Sequence, residues 1–202
     1  MRGKTHLAAG LAAALAVCAP QSLTECAAVC IGGAVGGLLC DIDQHAGRGM
    51  QEMKSARWFA AAGSLAVAAA EHLAVGGLWR SLTSQPPERQ LAGVAILALT
   101  LWKGFRSEHR TFAHSLLFVL LVSVGCGLVC PPFAAPVLAG LVSHMALDLL
   151  NKKPLRLLWP LPVTLCLHLC ASDGAANRWI GRAAAAATAV LAAWRILYFI
   201  HP

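Results

Sequence analysis

Eight apolar stretches fill most of this chain, and only short polar islands separate them. The stretches cover residues 7–19, 26–40, 58–78, 91–102, 115–130, 136–150, 155–170 and 179–200. A chain built this way cannot clothe itself in a polar surface, so the bilayer is the solvent in which it folds. There the backbone must satisfy its own hydrogen bonds, which an α-helix does within each segment. Composition agrees: 58% of residues are apolar and 12% charged, against about a quarter charged in an ordinary soluble domain. No hydrophilic stretch is long enough for a separate soluble domain, so residues 1–202 read as a single membrane-embedded domain. The expected fold class is an all-α, polytopic helical membrane protein with about six to eight short transmembrane or partial helices.

Several stretches are too short to cross unaided. The thirteen residues 7–19 rise about 20 Å as a helix, against a hydrocarbon core of about 30 Å. Such segments extend into their polar flanks or thin the bilayer, and a polar site at their ends lies slightly below the membrane surface. The N-terminal Met1-Arg2-Gly3-Lys4 followed by an apolar run mimics a signal peptide, but Cys18-Ala19-Pro20 is a poor cleavage site. The first segment is therefore read as retained.

The positive charges set an expected orientation. If each stretch crosses once and the N-terminus is cytoplasmic, the inner loops hold Arg2, Lys4, Arg48, Lys54, Arg57, Lys103, Arg106, Arg110, Lys152, Lys153 and Arg156. The early outer loops hold only Arg80 and Arg89, as the excess of Lys and Arg inside predicts. The net charge of +7 is thereby explained by the membrane, and no nucleic-acid partner is expected.

The same arrangement brings the polar islands to one face. They are Thr5-His6, Asp41-Ile42-Asp43-Gln44-His45, the run His109 to Ser115, and the pair His144 and Asp148. Only nine carboxylates and eight histidines exist, yet three of the first and five of the second fall in these islands. His144 and Asp148 are four apart on an apolar helix, so one cation can meet both. Asp41 and Asp43 would repel each other unless a cation or protons neutralised them. His109 and His114 flank a turn leading into the next apolar segment. Imidazole with carboxylate suits zinc first, then manganese or iron, over magnesium or calcium. Each island alone has a plainer reading: a packed His6, a solvated Asp-x-Asp cap, or a mutual His144–Asp148 hydrogen bond.

Together these residues resemble a known family. An early His, Leu-Leu-x-Asp-Ile-Asp, His-Arg-x-x-x-His-Ser, and Ser-His-x-x-x-Asp followed by Leu-Leu-Trp-Pro are similar, from Thr5 to about Pro162, to the YdjM-like family. That family is described as LexA-binding, inner-membrane-associated metal-dependent hydrolases. The resemblance implies His6, Asp41, Asp43, His109, His114, His144 and Asp148 as metal-site residues. A looser similarity in the order of His and Asp extends to zinc-dependent phospholipase C and the S1/P1 nucleases.

Other features take simpler readings. Glu71-His72 reads as an interfacial pair. Cys26/Cys30, Cys126/Cys130 and Cys166/Cys170, with Cys18, are expected toward the outer half as small apolar packing residues, with disulfides or metal as alternatives. Trp58, Trp79, Trp102, Trp159 and Trp179 mark segment ends.

The functional expectation is a multi-pass hydrolase of the bacterial cytoplasmic (inner) membrane, with one or two divalent metal ions at the cytoplasmic interface. Its substrate would be an ester or phosphoester of a lipid-like molecule presented from the bilayer. Asp43 or Glu108 would accept a proton. Arg110 and Lys152, with Arg48, Arg106, Lys153 and Arg156, could bind an anionic headgroup, although the orientation rule explains them equally well. Two rival classes are a membrane protein whose metal only ties helices together and, with fewer polar residues across the bilayer to support it, a metal transporter.

Overall fold

The computed structural model describes residues 1–44, 84–172 and 174–200, with single helical positions at 58, 61, 62, 65, 69, 80 and 81. Most of the expected 58–78 segment, including Glu71 and His72, lies outside the described residues, as do His45, Arg48, Lys54 and Arg57. Among the described residues the architecture is all-helical. We number the helices α1 (Gly3–Val17), α2 (Leu23–Leu39), α3 (Pro87–Arg106), α4 (Leu116–Val129), α5 (Pro131–Leu149) and α6 (Ala175–Ile200). Short 3-10 turns follow α2 at Cys40–Asp43 and precede α4 at Phe112–His114.

Among the described residues, three helical stretches are long and apolar enough to cross a membrane: Leu23–Asp43, Pro131–Leu149 and Ala175–Tyr198. The helix starts are set by local chemistry. Ser22 caps α2 by accepting from the Glu25 backbone amide at 3.2 Å, while the Glu25 carboxylate accepts from Gln21 N–H at 2.7 Å. This is a close variant of the reciprocal Ser-x-x-Glu cap. Pro87 and Pro131 occupy first-turn positions, where a missing N–H costs nothing. Lys103 and Arg106 in the last turn of α3 complement its negative end.

The centre of the bundle is a glycine seam. A Cβ built on Gly33 of α2 would lie 2.5 Å from the Gly10 carbonyl oxygen of α1, and one on Gly140 of α5 would lie 2.5 Å from the Gly33 carbonyl. Three backbones therefore meet at one level, as small residues allow in membrane helices. Below the seam, Ala14 and Leu15 of α1 pack with Cys26 and Val29 of α2. A second cluster joins Phe112, Phe118, Val122, Val137, Leu141 and Met145. Helix α6 runs alongside α1, with Thr188 Oγ1 donating to the Ala8 carbonyl at 3.1 Å and Arg195 Nη2 to that of Cys18 at 3.3 Å.

One expected crossing is corrected. Residues 155–170 are not a helix but an extended excursion that turns back at the Leu158–Leu161 backbone bond. Leu155 and Leu165 exchange both backbone hydrogen bonds at 2.9 Å, and the Leu167, Leu169 and Cys170 amides donate to the carbonyls of Leu149 and Leu150. The chain thus returns to the end of α5 instead of crossing. Cys170, bonded to Leu150, consequently lies at the same end as His144 and Asp148, not with Cys18 at the other end as expected. All eight cysteines are free thiols, so the disulfide alternative is not realised.

The seam has a measurable consequence. Gly33→Ala places a methyl group 2.5 Å from the Gly10 carbonyl oxygen and 2.6 Å from Ala14 Cβ. Overpacking of this kind costs about 1–3 kcal/mol. Gly127→Ala, whose new Cβ would make only ordinary van der Waals contact with Ala134 Cβ at 3.6 Å, serves as the tolerant control. Unfolding in detergent should show a lowered midpoint for the first variant and not the second; equal midpoints would contradict the seam.

Candidate metal centre

The helices converge so that every polar island among the described residues meets at one end of the bundle. His6 stands on the second turn of α1, Asp41 and Asp43 on the turn after α2, His114 on the turn before α4, and His144 and Asp148 on α5. All six are buried. His109 comes from the loop after α3 and is the one imidazole of the group that reaches solvent, its side chain 37% exposed.

Backbone contacts hold the histidines in place. His144 Nδ1 lies 2.8 Å from the Gly37 carbonyl oxygen. A carbonyl only accepts, so Nδ1 carries the hydrogen and Nε2 keeps its lone pair. Gly37 is needed for a second reason: a Cβ there would lie 2.6 Å from the His6 carbonyl oxygen. With the helices this close, the His6 and His144 rings stack at 3.8 Å between centroids. Ser115 fixes His114 by donating to the Phe112 carbonyl at 2.7 Å and accepting from Phe118 N–H at 3.1 Å. One hydroxyl thus joins the turn to the start of α4.

The donor atoms form three linked triads: His6, His144 and Asp148; Asp41, His114 and His144; and Asp43, His109 and His114. Within each, one donor atom per residue lies within 4.8 Å of the others. The first and third share no residue. Both ring nitrogens of His6 and His114, and Nε2 of His144, are buried without a hydrogen-bond partner among the described residues. Their nearest carboxylate oxygens stand at 3.3 Å (His6 Nε2 to Asp148), 3.4 Å (His114 Nδ1 to Asp43) and 3.8 Å (His144 Nε2 to Asp41). Buried polar atoms are seldom left this way, and a bound cation would satisfy them. Burial opposes protonation of His114, yet the carboxylates of Asp41 and Asp43 outweigh it and raise its pKa to about 9.

Two carboxylates have further partners. Asp148 pairs with Arg110 Nη2 at 3.0 Å and with the Met1 ammonium at 2.6 Å. Asp43 meets His109 Nδ1 at 2.7 Å and accepts from the Arg110 backbone amide at 3.2 Å. Arg110 adopts a left-handed φ of 68°, a conformation uncommon for a residue with a side chain. Its guanidinium also donates to the Lys153 carbonyl at 2.7 Å.

Of the residues expected at the site, seven come together in the triads, and Arg110 joins them as an ion-pair partner. Glu108 and Lys152 are exposed and lie outside the triads. Sequence reasoning missed Gln44, whose amide donates to Asp41 at 3.1 Å and stands 3.4 Å from His109 Nε2. It also missed the Gly37 carbonyl. Gln44 could have been found from its position in the Asp-x-Asp island; a backbone acceptor leaves no mark in a sequence.

Fold and site together define a helical membrane protein with a buried His/Asp cluster, able to hold a metal ion, at one end of its bundle. The chain belongs to the YdjM inner membrane protein family, whose model matches residues 1–201. That family and the three apolar helices support a place in the inner membrane. No curated protein and no solved structure matches the chain.

Ser115→Ala should release the turn that carries His114. Losing a capping hydroxyl costs about 1 kcal/mol, so the unfolding midpoint should fall. Ser143→Ala, which removes only a bond within one helix to the Gly140 carbonyl, should leave it nearly unchanged. Equal midpoints for the two variants would deny Ser115 its anchoring role.

Proposed function

We propose that this protein is a membrane-embedded metal-dependent hydrolase acting on an ester or phosphoester of a lipid-like substrate. The observation that carries the reading is the set of buried imidazole nitrogens without partners beside three buried carboxylates. His6, His144 and Asp148 would hold one divalent cation, and Asp43, His109 and His114 a second, since these triads share no residue. Zinc suits the imidazole-rich set best, with manganese or iron next. When bound, such a cation neutralises the carboxylates, polarises the scissile group and lowers the pKa of water.

The chain's own residues supply the rest. Asp43 would accept a proton, oriented by His109, whose Nδ1 donates to its Oδ1 at 2.7 Å and whose ring alone among the cluster histidines is solvent-exposed. Asp41, held by Gln44, fixes the side of the site facing His114 and His144. Arg110 pairs with Asp148 at 3.0 Å and orients it. Glu108, exposed and outside the triads, is the weaker candidate for the proton acceptor.

We place the site end at the cytoplasmic face with the N-terminus inside, on the charge asymmetry. Arg178 and Arg182, in the first turns of α6, join that end once residues 155–170 no longer cross. A structural metal is the second reading, favoured by burial: His6, His114 and His144 are 0% exposed, as in closed sites filled by protein ligands.

Metal analysis of the purified protein should find at least one transition metal. His144→Ala and Asp148→Ala should each weaken its retention by at least about tenfold, and Glu108→Gln should not. Full retention by both alanine variants would remove the proposed site.

Asp43→Asn distinguishes the two readings. If Asp43 serves as the base, turnover of a lipid-like ester or phosphoester should fall by about a hundredfold or more, while the unfolding midpoint moves little. A lowered midpoint, with no chelator-sensitive hydrolysis in the parent protein, would instead establish the structural role.

A further inference from the structure

A cavity lies against the loop that also carries two residues of the cluster, and the charge on its lining is mostly positive. It has a volume of about 340 Å³ and lies between the last turn of α3, the loop carrying Glu108 to Phe112, and the start of the extended excursion. Lys103, Arg106 and Arg156 contribute three positive charges to its wall against the one carboxylate of Glu108. None of these cations forms an ion pair with a carboxylate among the described residues, although Arg110, one loop position away from the cavity, does. Aromatic rings hold two of them in place: Lys103 Nζ stands 4.2 Å from the Trp159 ring centroid and 5.1 Å from that of Phe112, and the Arg106 guanidinium 5.0 Å from that of Trp102.

We propose that this cavity binds the phosphate group of a phosphorylated amphiphile and so presents it to the neighbouring cluster. The proposal names the substrate class of the hydrolase reading above and rests on it for the chemistry, but the binding itself requires no metal. A preference for positive charge on one membrane face explains why cations occur at this end. It does not explain why three of them, on two separate segments, line a single cavity without carboxylate partners. Ring faces fix Lys103 and Arg106 while leaving their N–H groups available to an acceptor. Phosphate is the anion whose several oxygens can engage two guanidinium groups and an ammonium together. Glu108 can accept from a hydroxyl or amine elsewhere on the headgroup.

The surroundings favour an amphiphile. The excursion that supplies Arg156 and Trp159 also exposes Leu158, Leu161, Val163, Leu165, Leu167 and Leu169, all at least 42% exposed. An exposed apolar run of this length, beside interfacial indoles, belongs at a lipid surface. The phosphate would enter from the headgroup layer with its tails along this run. The loop from Glu108 to Phe112 forms a wall of the cavity and also carries His109 and Arg110, which belong to the cluster. A headgroup in the cavity would therefore lie against the loop that carries His109, the exposed imidazole of the cluster.

Native mass spectrometry can test this on the full chain in detergent micelles, titrated with short-chain phosphatidic acid in the presence of a chelator. Saturable binding of one lipid phosphate is expected, and the phosphate-free diacylglycerol of the same chain length should not bind. The double variant Arg106→Gln with Arg156→Gln should bind at least about tenfold more weakly, and Lys103→Gln should also weaken binding. All three side chains are exposed, so the unfolding midpoint should hold. Displacement by inorganic phosphate would assign recognition to the phosphate alone, and failure to displace would assign it to the lipid headgroup; both support a phosphate cavity. Equal binding of the diacylglycerol, or undiminished binding by the charge-neutral variants, would overturn it. Phosphatidic acid binding without turnover of any phosphorylated lipid in metal-loaded protein would instead count against the hydrolase reading while leaving the cavity standing.

Discussion

Three carboxylates buried at one end of an apolar bundle are the constraint around which this structure is arranged. Asp41, Asp43 and Asp148 are each at most 4% exposed. An ionised carboxylate is costly to bury unless charge and hydrogen bonds come with it. Each is met accordingly: Asp148 by Arg110 and the Met1 ammonium, Asp43 by His109 and the Arg110 amide, and Asp41 by Gln44. The three buried histidines then face these oxygens at distances mostly too long for good hydrogen bonds. Direct pairing thus accounts for the carboxylates and for His114, and leaves His6 and the Nε2 of His144 without hydrogen-bond partners. A cation between them would account for both.

That arrangement is possible because α1, α2 and α5 touch backbone to backbone. Gly33 and Gly37 lie four residues apart, so they share one face of α2. Gly33 meets Gly10 on one side and Gly140 on the other, and Gly37 meets the His6 carbonyl. Bulkier residues would separate the helices and with them the His6 and His144 rings, now 3.8 Å apart. The seam and the site are therefore one device: close packing at the level of Gly33 sets the width of the cluster a turn above it.

Much of this was legible in the sequence because polar groups in an apolar chain are costly and so informative. The four islands named the seven residues that the triads contain, and the helical character followed from segment length and hydropathy. The excursion over residues 155–170 was misread because apolar content alone was counted. Pro154, Pro160 and Pro162 each remove a donor or clash with a preceding turn, and that chemistry argues against a continuous helix. The shared-face argument survives this change, since all the islands precede the excursion. The placement of Cys166 and Cys170 does not survive, since it depended on one more crossing. Glycines could be counted, but which of them would meet is a property of helix pairing that one sequence does not encode. Arg110 looked like a surface cation; its ion pair with Asp148 depends on a backbone turn with φ of 68°, which the residue type gives no reason to expect.

The excursion also bears on how deep the cluster lies. Among the described residues the amides of Leu157, Leu158, Val163, Thr164, Cys166 and His168 have no backbone partner. Such groups are not tolerated against hydrocarbon, where nothing replaces water. The excursion must therefore lie in the interfacial layer, with its leucines turned toward the acyl chains and its peptide groups still hydrated. It springs from the end of α5, whose last residue is Leu149, so that end sits at the same depth. Asp148 is then just beneath the headgroups, and His144, four residues earlier on the helix, about 6 Å further in. A cluster at this depth is screened from bulk water by its own helices, yet lies within a few ångströms of the layer where a lipid's ester and phosphate groups reside.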